Sequence, residues 1–161
     1  MKIYISNTDF IAQNPDFYAS FLPAKHRARA LKFKSEIRKN QFILGHLMAV
    51  ACGKKHTSIA CADNIVVVAA ASDAPVGISI KNTKSKIDAT AVSQKLNLPE
   101  STTLNDFFRN FTYTEACFRL GITPHSRIFM RHGDYIICAA SRHRFTFPKL
   151  TKFDPNSVCF K

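Results

Sequence analysis

Two kinds of segment place this chain in the α+β class: β-branched runs that read as strands, and longer stretches of helical periodicity around them. Ile65 to Ala71 is continuous and rich in valine, the pattern of a strand buried on both faces. Val76, Ile78 and Ile80 then alternate at strand spacing. The helix–strand pattern recurs once in each half of the chain.

Taken in order, Ile3 to Ser6 reads as an opening or edge strand. Leu22-Pro23 starts a helical stretch in which Phe33, Ile37, Leu44, Leu47 and Ala51 recur on one face as far as Gly53. Ser72-Asp73-Ala74-Pro75 supplies a turn between the strands 65–71 and 75–81. The polar, basic stretch Lys81 to Lys86 marks a boundary between lobes of about 1–80 and 81–161 within one domain. Ile87 to Leu98 forms a helix ended by Pro99. A further helix begins near Ser101-Thr102, where a hydroxyl can cap it, and stops at Gly121 before Pro124. Arg127 to Met130 and Tyr135 to Ala140 make a hairpin around His132-Gly133-Asp134.

With 161 residues, 46% of them apolar, the chain can bury a real core and is too hydrophobic for a disordered one. Its longest apolar run, Ile65 to Ala71, is far too short to span a bilayer, so no membrane role is expected. Met1-Lys2 leads into the strand-like Ile3-Tyr4-Ile5 with no signal-cleavage pattern after it. The five cysteines, 52, 61, 117, 138 and 159, contain no C-x-x-C pair and suit the reduced thiols of a cytoplasmic protein. The net charge of +12 calls for an anionic partner. Lys25, Arg27, Arg29, Lys32, Lys34, Arg38 and Lys39 face only Glu36 within residues 25–39, more lopsided than solubility requires. A second basic stretch runs from Arg142 to Lys152.

Leu104, Phe108, Phe111, Glu115 and Phe118 step by four, three, four and three residues, the spacing of one buried helical stripe. A carboxylate thus occupies an apolar position. It must be protonated, paired with a cation or bound to a metal, unless it emerges at the edge of the stripe.

Asn110 to Gly121, N-F-T-Y-T-E-A-C-F-R-L-G, resembles the W-T-x-K-E-A…G segment of 4′-phosphopantetheinyl transferases (holo-acyl-carrier-protein synthase-like). Those enzymes move phosphopantetheine from coenzyme A to a carrier-protein serine. Ser58 to Ala69 resembles the family's S-x-S-H-S…V-A-V-A, and Pro75 to Lys81 its P-V-G-V-D-I-E. Arg29 to Phe33 and Phe42 to Met48 are similar to its R-x-x-R-F and F-L-x-G-R-x-L-L, and Gly133 to Ala139 to its closing strand. The resemblance covers most of the chain in order and implies two similar α/β lobes in one pseudo-duplicated unit.

The departures fall on the chemistry. The family holds magnesium with the Asp and Glu of G-V-D-I-E and the Glu of K-E-A; the matching positions here are Ser79, Lys81 and Glu115. The family histidine after S-x-S is Cys61, its lysine before the Glu is Thr114, and an arginine is replaced by His46. One acid, one hydroxyl and one cation make a poor magnesium site. Lys81 is expected beside Glu115 as its counter-charge, or on a coenzyme A phosphate; Cys61 is expected in the core.

Three functional classes follow. The first is an eroded, catalytically impaired relative that binds coenzyme A through Lys81, His46, Cys61 and Thr114, or an acyl or peptidyl carrier protein through Lys25, Arg27, Arg29 and Lys32. The second is an active transferase in which Glu115 still serves catalysis. The third is a basic nucleic-acid binder, against which stands the lack of any recognised binding motif. The first is the reading preferred from the sequence.

Overall fold

The computed structural model describes residues 1–146 and 148–159, without the side chains of Val158 and Cys159. It is an α+β structure with two sheets. The first half contains β1 (Lys2–Asn7), three short helices α1 (Asp9–Ala12), α2 (Pro15–Ser20) and α3 (Ala24–Ala30), the long α4 (Glu36–Cys52), and the hairpin β2 (His56–Ala62) and β3 (Ile65–Ala71). The second contains β4 (Val76–Asn82), α5 (Ala89–Leu96), α6 (Leu104–Leu120), and the hairpin β5 (Ser126–His132) and β6 (Tyr135–Ser141). The chain then adds β7 (Leu150–Lys152) and a last helical turn, α7 (Asn156–Cys159).

The first sheet runs β2-β3-β1-β7 and the second β4-β6-β5. Within them one pattern occurs twice. A strand leads through helices to an antiparallel hairpin whose second arm pairs antiparallel with that strand, as β3 with β1 and β6 with β4. The helix before each hairpin has 17 residues and ends on a left-handed glycine, Gly53 or Gly121. The sheets change at Ser72–Pro75, ahead of β4, because β4 pairs with β6 along its whole length. The basic residues 81–86 therefore lie inside the second sheet's unit, and β7 returns to the first sheet as the parallel neighbour of β1.

Strand alternation divides the interior into layers. Ile3, Ile5, Val67, Ala69 and Ala71 of the first sheet share a core with Ile78, Ile80, Ile137 and Ala139 of the second. On its other face the first sheet offers Val66 and Val68 to Ile43, Leu44, Leu47 and Met48 of α4. The second sheet offers Cys138 and Ala140 to Ala116 and Leu120 of α6, and Ile136 to Phe107, Phe108 and Phe111. The order is helix, sheet, sheet, helix, with β3 buried on both faces as its composition requires.

Several expected elements shift. β1 is interior to its sheet, between β3 and β7. The helical stretch from residue 22 to 53 is broken: α3 ends at Ala30, and Ser35 caps α4 by accepting from the Arg38 N–H. The break takes Phe33 off the stripe, and Ile37 and Ala51 lie exposed at the two ends of α4. β2 is a strand the periodicity missed, because its sequence H-T-S-I-A-C-A carries too few large apolar residues to alternate visibly.

Gly77 sets how closely α6 approaches β4. A Cβ built there would fall on the Ala116 carbonyl oxygen and lie 2.9 Å from the Leu120 nitrogen, both backbone atoms of a helix that cannot give way locally. Gly77→Ala should cost about 2–3 kcal/mol of stability in urea unfolding.

Candidate functional site

Because successive strand residues face opposite sides, Val76, Ile78 and Ile80 fill the inter-sheet core while Gly77, Ser79 and Lys81 face α6. Glu115 meets them from the helix. Its Oε1 lies 2.7 Å from Lys81 Nζ, and its Oε2 accepts a 2.8 Å hydrogen bond from the Ser79 hydroxyl. The Lys81 ammonium also sits 4.1 Å above the centre of the Phe111 ring, one turn earlier on α6. Ser79 is fully buried; the Lys81 and Glu115 side chains are 23% and 31% exposed. Both carboxylate oxygens thus have a donor, and the ammonium has an anion and a π-face.

Glu115 is not in the centre of a buried stripe. Leu104 and Phe118, expected on that stripe, are 58% and 88% exposed. The buried face instead follows Phe108, Thr112, Ala116 and Leu120 with Phe107 and Phe111 beside it. Steps of four wind the contact line slowly around the helix, and α6 lies on β4 and β6 along that line. Glu115 borders it, which lets its carboxylate reach both Lys81 and solvent.

This donor set does not fit a magnesium ion. Lys81 places a positive charge on one carboxylate oxygen, and the Ser79 proton occupies the other. Among the described residues, no three of His, Cys, Asp and Glu come together as a metal site. Asp63 does not move in to help: its carboxylate accepts from Asn82 Nδ2 at 2.8 Å and from the Tyr135 hydroxyl at 3.0 Å, tying the β2–β3 turn to the second sheet. Asp73 lies exposed in the turn before β4.

One helical turn beyond Glu115, Arg119 opens a second feature. Its Nη1 donates to the Ile59 carbonyl at 2.7 Å, and it lines a groove of about 560 Å³ together with His26, His46, Lys54, Thr57 and Ser58. Among the described residues, no acid lines this groove. His46 packs against His26, with ring centres 4.1 Å apart, and against Phe42 at 4.3 Å, tilted to both rings. Burial, then the adjacent His26 and Arg29, lower its pKa to about 4, so it is neutral at pH 7 and lines the groove without charge.

The other expected residues distribute around these two features. Cys61 is half-buried, on the β2 face toward α4. Burial raises its thiol pKa, while Arg38, Arg119 and Lys81 pull it down. Thr114 is half-buried on α6 but is turned about 100° away from Glu115. Lys25, Arg27, Arg29 and Lys32 are exposed on and just after α3, with the Arg29 guanidinium 5.4 Å from the Phe42 ring centre. His46 thus falls in the groove, Lys81 at the bridge, and Cys61 within the electrostatic reach of Lys81 and Arg119. His26, Lys54 and Arg119 were missed as groove residues. Only Arg119 left a signal, four residues after Glu115 on the same helix. A scan with protein-family models matched none, and no curated protein matches the sequence.

Two outcomes follow from this geometry. Lys81→Ala leaves Glu115 without its cation and should lower stability by about 1–2 kcal/mol in urea unfolding, less than the ~3–5 of a fully buried pair because water reaches both groups. His46 binds its proton more readily in the unfolded chain, so its contribution to stability is lost as pH falls from about 6.5 to about 4, by up to roughly 2–3 kcal/mol. His46→Gln should flatten that part of the pH–stability profile relative to the parent chain.

Proposed function

We propose that this protein is a phosphopantetheinyl-transferase-like binder of coenzyme A and of an acidic acyl or peptidyl carrier protein, with a fixed ion pair where the transferases hold magnesium. One observation carries this reading. Positions 79, 81 and 115, which the sequence resemblance equates with the three metal ligands, converge around the Glu115 carboxylate, although the first two lie on β4 and the third on α6. The repeated strand–helix–hairpin order supports the same fold family.

In the transferases the metal neutralises the leaving pyrophosphate, and a carboxylate or its water takes the serine proton. Glu115 is poorly disposed for either task, since Lys81 and Ser79 already hold its two oxygens. Phosphoryl transfer is therefore impaired while the binding surfaces persist. The acid-free groove of Lys54, Arg119, His26 and His46 suits the phosphates of coenzyme A, which guanidinium and ammonium groups can hold without a metal. The exposed Lys25, Arg27, Arg29 and Lys32 face suits an acidic carrier protein.

Calorimetric titration of coenzyme A tests the reading. Binding is expected in magnesium and to persist unchanged in chelator, and Lys54→Ala or Arg119→Ala should weaken it about tenfold each. Binding that requires magnesium would favour an active transferase. Absence of binding in both conditions would remove coenzyme A and leave the carrier protein, tested by the same method.

A further inference from the structure

The second sheet ends in an open strand. On one side, β4 runs beside the first sheet, where Ser58 Oγ accepts the Ile78 N–H at 3.2 Å. The far edge of the first sheet is the three-residue β7. β5 is seven residues long, has β6 on one side, and among the described residues has no strand on the other. Such an edge is a template for another chain.

Charge decides which chain. Arg127 and Arg131 are exposed and share one face of β5 with Phe129 between them. The Arg127 guanidinium lies 4.4 Å from the Tyr113 ring centre, and that of Arg109, exposed on α6, lies 4.6 Å from Phe129. With their central carbons over the rings, the guanidiniums keep N–H donors at their edges. Every ion pair among the described residues uses a lysine, so none of these three arginines has a carboxylate within ion-pair distance. The Asp106 carboxyl is held below its ordinary value first by the hydroxyls of Thr103 and Thr102, with Arg109 a lesser cause.

Like charge opposes pairing of β5 with a second copy of itself. It favours a strand that carries acids. Single-stranded nucleic acid fits less well, because guanidiniums already lie over the rings on which its bases would stack. We infer that β5 accepts an extended acidic segment of a partner protein as an added strand, its carboxylates held by Arg109, Arg127 and Arg131. Arg127 and Arg131 lie ~13 Å apart along the strand, so acids four residues apart on one face of the added strand would meet both. This binding is independent of the coenzyme A reading.

The probe is a fluorescent peptide alternating Glu and Thr, followed by anisotropy. Binding should slow amide exchange along β5. It should weaken at least about tenfold for the double variant Arg127→Glu/Arg131→Glu and for a peptide interrupted by proline, which cannot complete the ladder. Arg109→Gln, on a different element, should weaken it less and guards against a β5 variant that misfolds. A Lys–Thr peptide should not bind. No binding of the Glu–Thr peptide, equal binding of the proline peptide, unchanged β5 exchange, or tighter binding of an oligothymidylate would each overturn the proposal.

Discussion

The close approach of α6 to β4 is the contact from which the rest of the candidate site follows. It depends on Gly77, whose missing side chain leaves room for the helix backbone at Ala116 and Leu120. With the helix seated there, strand alternation presents Ser79 and Lys81 to the same helix face, and Glu115 arrives within hydrogen-bonding distance of both. The buried strip of Phe108, Thr112, Ala116 and Leu120 fixes the rotation of the helix. A different rotation would leave either Glu115 without a cation or Lys81 buried without an anion. Packing therefore sets the electrostatics, and the ion pair in turn penalises any slip of the helix.

A carboxylate at this boundary requires a positive neighbour, and a lysine supplied by the chain differs in kind from a diffusible ion. Lys81 is always present, brings one charge, and anchors its stem and ammonium against Phe111. A magnesium ion would need further hard oxygen ligands in octahedral array. The chain instead places there a buried hydroxyl that donates to the carboxylate. The pair joins helix to sheet and, with the Ser79 hydroxyl, occupies both oxygens of Glu115.

The basicity of the chain is spatially sorted. Twenty-three cations face eleven acids, and the ion pairs of Lys39 with Asp16, Lys81 with Glu115 and Lys84 with Asp134 each use one of either sign, so they leave that excess whole. Part of it gathers in three places: the exposed α3 face, the groove at Lys54 and Arg119, and the β5 edge. Each is chemically distinct. The first is a diffuse field, the second a concave pocket beside two adjacent imidazoles, the third a set of guanidiniums of which those of Arg109 and Arg127 lie over aromatic rings. Charge of one sign thus offers three different modes of recognition.

Composition and spacing by themselves determined the α+β class, the strand Ile65–Ala71, the hairpin around Gly133, the glycine stop of α6 and the need of Glu115 for a partner, because each depends on local propensity or on the cost of an unpaired charge. The resemblance of 75–81 and 110–121 to one family also pointed Lys81 toward Glu115. What remained hidden was non-local. The strand β2 is held by pairing with β3 rather than by its own apolar pattern, and the place of β4 in the second sheet is decided by β6, some sixty residues further on. The burial of α6 follows the line on which it meets two strands, so Leu104 and Phe118, apolar and correctly spaced, still face solvent. The groove joins His26, His46, Lys54 and Arg119 from distant parts of the chain. Periodicity can say which face of an element is apolar; only tertiary packing decides which neighbours that face will meet, because the contacts that settle it are made between residues far apart in sequence.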